Sequence, residues 1–178
     1  YYQNAKIDDQ FYKISNFSHT AGDTHITNMW STIYMGIGLA NDVWQKVTAM
    51  TGITEERKQP LLAEAAFMRA YLYFTLVQLW GPVRLTTEAP NYDNVVERHV
   101  TRASIAKVYE QITTDIEYAK LYLPVTRDSG MAGRPTRYSA YGMAAKIYLT
   151  MASGSRFGVA GHECFDPATY YGLAKENA

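Results

Sequence analysis

An all-α fold is the prediction for this 178-residue chain, and three observations carry it. Four segments place apolar residues at steps of three and four, the spacing of one helix face. No segment alternates apolar and polar residues as a half-buried strand would. The stretches between them hold Gly, Pro and Asn and are short enough to fold helices back on one another. Stacked antiparallel helical hairpins in the tetratricopeptide manner follow. The hairpins do not repeat at the roughly 34-residue period of a plain array, so a regular solenoid is not expected.

Residues 1–27 are polar, aromatic and weakly periodic. Tyr1 to Lys6 reads as the close of a preceding helix. Asp8 to Asp23 reads as an exposed loop, with Phe11, Tyr12 and Phe17 set among Ser15, Asn16, Ser18 and Thr20. Aromatics in such company either form a binding surface or tack the loop to the core. Asn28 is the expected N-cap of the next helix. Trp30, Ile33, Tyr34, Ile37, Asn41, Trp44 and Val47 form its face, and Thr51-Gly52 ends it near Met50. Gly36 and Gly38 lower its propensity, which suggests that another helix approaches closely there.

The central helix runs from about Gln59, or from a short kinked segment opened by Thr54-Glu55-Glu56, to Trp80. One stripe is Leu61, Ala65, Met68, Leu72, Leu76 and Leu79; the other is Phe67, Ala70, Phe74 and Val77. Together they predict burial almost all round, with Met68 and Phe74 both in the core. Gly81-Pro82 stops it. Glu64, Arg69 and Gln78 keep its apolar run below the ~20 residues of a membrane span. Arg69 in such a place predicts pairing with an acid or carbonyls of another helix. The short link over 51–54 predicts an antiparallel hairpin with the preceding helix.

Leu85 to Asn94 reads as a loop. Ser104 caps a helix with Ile105, Val108, Tyr109, Ile112, Ile116, Ala119 and Leu123 on one face, ended by Pro124. After a glycine-rich loop over 129–133, Thr136 caps a helix through Ala140, Met143, Ala144, Ile147, Tyr148 and Met151, with Gly154 as its stop. Asp166-Pro167 opens a last helix.

Composition excludes several functions. Formal net charge is zero and no basic run occurs, so nucleic acid and anionic membrane are poor partners. The single cysteine, Cys164, excludes an internal disulfide. His19, His25, His99 and His162 lack metal-ligand spacing; His19, Asp23 and His25 read as a solvated loop, and no metal or cofactor is expected. Nucleophile-elbow, phosphate-loop and zinc-protease patterns do not occur. Glu55, Glu56, Glu110, Asp115 and Glu117 read as solvated helix faces, not as the paired carboxylates of a glycosidase cleft, so no catalytic residue is expected. The 15 tyrosines and three tryptophans are unusual. They serve either as helix-packing material or as surface for sugar stacking. The chain lacks an initiator Met and a signal peptide and stops inside a helical pattern, so it is expected to be a fragment of a longer mature protein.

Four motifs resemble one family. Glu64-Ala65-Ala66-Phe67-Met68-Arg69-Ala70-Tyr71-Leu72-Tyr73-Phe74 with Leu79-Trp80-Gly81-Pro82-Val83-Arg84-Leu85-Thr86 is similar to the hallmark of the SusD/RagB proteins. Ala66 stands where a basic residue is usual and Arg84 where a proline is usual. Trp30, Tyr34, Ile37 and Ala40-Asn41 resemble a second family stretch, Tyr109, Ile112 and Asp115-Ile116 a third, and Gly133-Arg134-Pro135-Thr136 a fourth. The resemblance implies that residues 1–178 are the helical N-terminal portion of a larger SusD-like α-α superhelix, with a lipidated N-terminal segment and a large C-terminal portion absent. It also implies a surface lipoprotein of the outer membrane that binds a glycan or other nutrient and sits on a SusC-like TonB-dependent transporter. The competing reading, from the hairpins alone, is a tetratricopeptide-like protein-interaction module.

Sugar recognition needs exposed rings and planar polar groups. Trp30, Tyr71 and Phe74 are expected to be claimed by the core. The aromatics left in loops are Phe11, Tyr12, Phe17, Tyr92 and Phe157. The loop before the Trp30 helix is favoured, and its nominated ligand residues are Phe11 and Tyr12 for stacking and Asp9 and Asn16 for hydroxyls.

Overall fold

The computed structural model describes residues 9–89 and 101–178, except the side chains of Asp9 and Gln10. The expected helix end over Tyr1–Lys6, the loop beyond Ala89, Tyr92 and His99 lie outside the described residues. Among those described there are six α-helices, one 3₁₀ turn at Ser129–Met131 and one isolated bridge, Val83 to Ala103. The helices are α1 (Asp9–Ser15), α2 (Thr24–Ala49), α3 (Glu55–Trp80), α4 (Ile105–Tyr122), α5 (Arg137–Arg156) and α6 (Pro167–Asn177). Two compact units divide at residues 35 and 36.

In the first unit, the loop expected over 8–23 is helical for seven residues. So short a helix leaves little periodic pattern, and its nucleation is unfavourable unless its ends are secured. Its C-terminus is closed by Ser18 N–H on Lys13 C=O (2.9 Å) and Phe17 N–H on Ile14 C=O (3.3 Å). The helix α2 begins at Thr24, four residues before the expected cap Asn28. Asp23 takes the cap position: its carbonyl accepts from Thr27 N–H, and its carboxylate accepts from Thr20 N–H at 2.7 Å.

The second unit pairs successive helices four times, from α2 on α3 to α6 on α5. In the first, Gly36 of α2 faces Leu72 of α3, and Asn41 faces Arg69. A Cβ on Gly36 would stand 2.8 Å from Leu72 Cδ1, so that glycine does serve close approach. The helix α4 packs between α3 and α5, and α6 packs back on α5. Ile37, Tyr73, Leu76, Tyr109, Ile112, Ile116 and Ile147 are fully enclosed.

The helix α3 starts at Glu55, so Pro60 lies within it and Glu56 C=O loses its intrahelical donor. Gly81, at φ 65°, ends it as expected. Burial all round is not what the packing provides. Leu62, Ala65, Ala66, Arg69, Ala70, Tyr73, Phe74, Leu76 and Val77 are buried. Leu61, Met68, Tyr71 and Leu79 are exposed, Met68 by 44 %. The expectation for Phe74 holds, at 2 % exposure, and that for Met68 fails. The reason is the number of neighbours: α2 meets α3 at Leu72 and Arg69 and α4 packs along it, while α5 barely reaches it. Between α3 and α5 a groove of about 440 Å³ remains, lined by Phe67, Met68, Tyr71, Ser139, Gly142, Met143 and Lys146.

Thr136 caps α5 through a reciprocal box with Ser139, as its sequence suggests. Gly154 does not end that helix, which continues to Arg156. Its role is space: a Cβ there would lie 2.7 Å from Cγ of buried His162. Asp166 caps α6 by accepting from Thr169 N–H at 2.9 Å, with Pro167 behind it.

Candidate functional site

The polar residues of the recurring motifs meet in the interior of the second unit. Arg69 donates from Nε to Asp115 Oδ2 at 2.8 Å and from Nη2 to Oδ1 at 2.7 Å. Its Nη1 donates to Asn41 Oδ1 at 2.8 Å, and its guanidinium lies 5.3 Å from the centre of the Trp44 ring. Asn41 Nδ2 in turn donates to the carbonyls of Thr86 and Glu88. The Tyr73 hydroxyl donates to Thr86 C=O (2.9 Å) and accepts Thr86 N–H (2.8 Å). Burial pushes the Tyr73 phenol up to about 12 against the pull of the Thr86 hydrogen bond and the Arg69 charge. Each side-chain nitrogen and oxygen of Arg69, Asp115, Asn41 and Tyr73 has a partner within the chain. The cluster pins the segment after α3 to α2, α3 and α4, and it confirms the acid partner predicted for Arg69. It also corrects one reading: Asp115 is buried, not on a solvated face.

A second pairing joins two more motifs. Glu64 on α3 accepts from Arg127 (2.6 Å) and from Arg134, and Arg127 also donates to Pro135 C=O. The loop before α5 is thereby clamped to α3. These groups hold the fold, and the Glu64 carboxylate is committed to the two arginines.

The nominated ligand residues lie in the first unit. Asp9 opens α1, and its side chain lies outside the described residues. Phe11 is 63 % exposed and stacks on His25 of α2, with ring centres 4.3 Å apart and planes at 28°. Tyr12, the next residue, is about 100° further round the helix and 52 % exposed. Asn16 follows one turn after Tyr12; its Oδ1 accepts from Ser18 N–H (3.1 Å) and Ser18 Oγ (2.6 Å). Positions 9, 12 and 16 thus share one side of the α1 register, with Phe11 on the adjacent side. His25 had not been read as a ring partner, because it lies 14 positions and a turn beyond Phe11. Tyr71, assigned to the core by its spacing, is half exposed at the α3–α5 groove; Trp30 is half-buried, with its ring centre 4.8 Å from that of Tyr34. Phe157 is exposed under Arg156. Among the described residues no three His, Cys, Asp or Glu converge as metal ligands, and no helix is long and apolar enough to cross a membrane.

Comparison with known proteins gives a consistent result. The family described as starch-binding and associating with the outer membrane, SusD-like, matches residues 2–149. A SusD-like protein of Bacteroides ovatus is 32 % identical over 144 residues, which is 80 % of this chain and 26 % of that protein. A crystal structure with a xylogluco-oligosaccharide superposes with a TM-score of 0.77 at 30 % identity, covering 93 % of this chain and 31 % of that one. A laminarin-binding SusD-like protein superposes at 0.68 with 26 % identity, covering 83 % and 31 %. The chain therefore spans about a quarter of the length of the curated relative it matches. With a family match over most of its length and the same helical architecture in solved relatives, this chain belongs to the SusD-like family.

Proposed function

We propose that the chain is the helical part of a surface glycan-binding lipoprotein of the outer membrane, which delivers its ligand to a TonB-dependent transporter. The observation that carries glycan binding is the exposed pair Phe11 and Tyr12, with His25 stacked against Phe11. An aromatic face in solvent matches the C–H face of a pyranose, and Asp9 and Asn16 stand at register positions from which to meet hydroxyls. The relatives crystallised with a xylogluco-oligosaccharide or named for laminarin support an oligosaccharide as ligand. The lipid anchor, the larger domain and the transporter partner are drawn from family membership. Binding without catalysis is supported by Asp115 and Glu64, whose carboxylates are committed to arginines.

Calorimetry of the full-length protein against xyloglucan and laminarin oligosaccharides tests this reading. Tyr12→Ala and Phe11→Ala should each weaken the ligand by about tenfold, or 1.4 kcal/mol. Unchanged affinity in both variants removes α1 from the site. The exposed apolar face of α3 favours a second reading, a tetratricopeptide-like protein-interaction module. A full-length protein that binds no oligosaccharide and has no transporter gene beside its own decides for that second reading.

A further inference from the structure

Phe17 is placed where neither its backbone nor its side chain is at ease. The end of α1 is a Schellman turn, in which the residue after the cap adopts the left-handed conformation. Glycine is the usual occupant, because a side chain crowds the backbone there. Here Phe17 holds that place at φ 60°, and it is the one non-glycine residue with positive φ among those described. Its ring is 89 % exposed. A glycine would relieve the backbone and remove an apolar ring from water at the same time. Phe157 makes the contrast: it too is exposed, but at φ −97° and beneath the Arg156 guanidinium. Packing and local conformation within the described chain therefore give no account of a phenylalanine at 17. A strained, exposed residue that the surroundings hold in place points to a contact outside itself.

The surroundings say what kind of contact. The two turn hydrogen bonds, with Asn16 Oδ1 taking both Ser18 N–H and Ser18 Oγ, fix the backbone that carries the ring. Residues 14–24 contain no Lys or Arg; the nearest lysine, Lys13, lies one turn before Phe17 and already has a partner within the chain. The one carboxylate over 14–24, Asp23, accepts from Thr20 N–H. Asn16 Nδ2 and the hydroxyls of Ser18 and Thr20 are neutral groups. A uronate or sulfated sugar finds no permanent countercharge in this segment. A neutral pyranose finds a rigid ring to stack on and neutral hydrogen-bonding groups around it. We infer that Phe17 is a further stacking residue for a neutral glycan, beside Phe11 and Tyr12; this rests on the glycan-binding reading above.

The test uses the full-length protein with a xyloglucan oligosaccharide, cellohexaose, laminarihexaose, maltohexaose, xylohexaose and an oligogalacturonate as probes, and compares the parent with Phe17→Gly and Phe17→Ala by calorimetry and thermal unfolding. Both variants should bind the neutral oligosaccharide that the parent binds roughly fivefold or more weakly, while Phe17→Gly raises Tm because the backbone is relieved. Parental affinity in both variants overturns the inference and leaves glycan binding standing. A lower Tm for Phe17→Gly overturns it too, since the ring would then be packed against protein. Preference of the parent for the oligogalacturonate overturns the neutral class. If the parent binds none of the probes, the glycan-binding reading fails and this inference falls with it.

Discussion

Arg69 and Asp115 form a bidentate ion pair between α3 and α4, with only 6 % and 3 % of their side chains exposed. A pair this deep attracts strongly because little water screens it, but both charges have also been stripped of hydration. Removing one partner strands the other. Asp115→Ala should therefore cost about 3–5 kcal/mol, whereas the double variant Arg69→Met/Asp115→Leu should cost markedly less. Urea unfolding of the full-length protein measures both. A single variant no worse than the double one contradicts this account of the pair.

The two stripes of α3 should respond very differently to truncation. Phe74, edge-on to Tyr109 with ring centres 6.3 Å apart, is buried; Phe74→Ala should cost about 3–5 kcal/mol. Met68 lies half open at the groove, and Met68→Ala should cost under about 1 kcal/mol. Equal losses in the same denaturation experiment would show that the groove is filled in the whole protein.

Alkaline stability should carry the signature of Tyr73. Its phenol ionises only near about 12 when folded, because burial opposes the charge, against about 10 in an unfolded chain. The folded pKa is the raised one, so between those values the unfolded chain gives up protons that the folded one keeps, and stability falls as pH rises. The loss from this residue should reach about 1 kcal/mol by about pH 11. Tyr73→Phe should be the less stable protein at neutral pH, since it abandons both Thr86 hydrogen bonds. Its unfolding free energy should then converge on that of the parent above about pH 10. Parallel curves would assign the alkaline loss elsewhere; burial also raises the phenols of Tyr109 and Tyr148.

Two helical glycines of α5 should give opposite signs. Gly142 has open space around its missing Cβ, so Gly142→Ala should stabilise by about 0.5–1 kcal/mol through helix propensity. Gly154 faces the buried His162 ring, which is edge-on to Tyr109 and Phe165. Gly154→Ala should cost about 1–3 kcal/mol, because that aromatic cluster has nowhere to move. Thermal unfolding distinguishes them; a stabilising Gly154→Ala would mean that His162 swings away freely.

The sequence by itself determined the helical class, the hairpin order, the caps Ser104, Thr136 and Asp166, and the stop at Gly81. These follow from periodicity and from chemistry within a few residues, which is local and therefore written in the chain order. It also foresaw that Arg69 would be paired, because a charge amid apolar residues must be. Which acid it meets, 46 positions away, was decided by the packing of α4 against α3. The same packing decided that Met68, Tyr71 and Leu79 stay exposed, since a stripe of apolar residues records what a face tolerates and not whether a neighbour arrives. The motifs that mark the family, Asn41, Glu64, Arg69, Asp115 and Arg134, turned out to be the polar joints of the scaffold. Such joints are legible because they must satisfy buried charges. The rings of Phe11 and Phe17 answer to no such internal demand, and only the tertiary structure showed one stacked on His25 and the other standing in solvent at the end of a short helix.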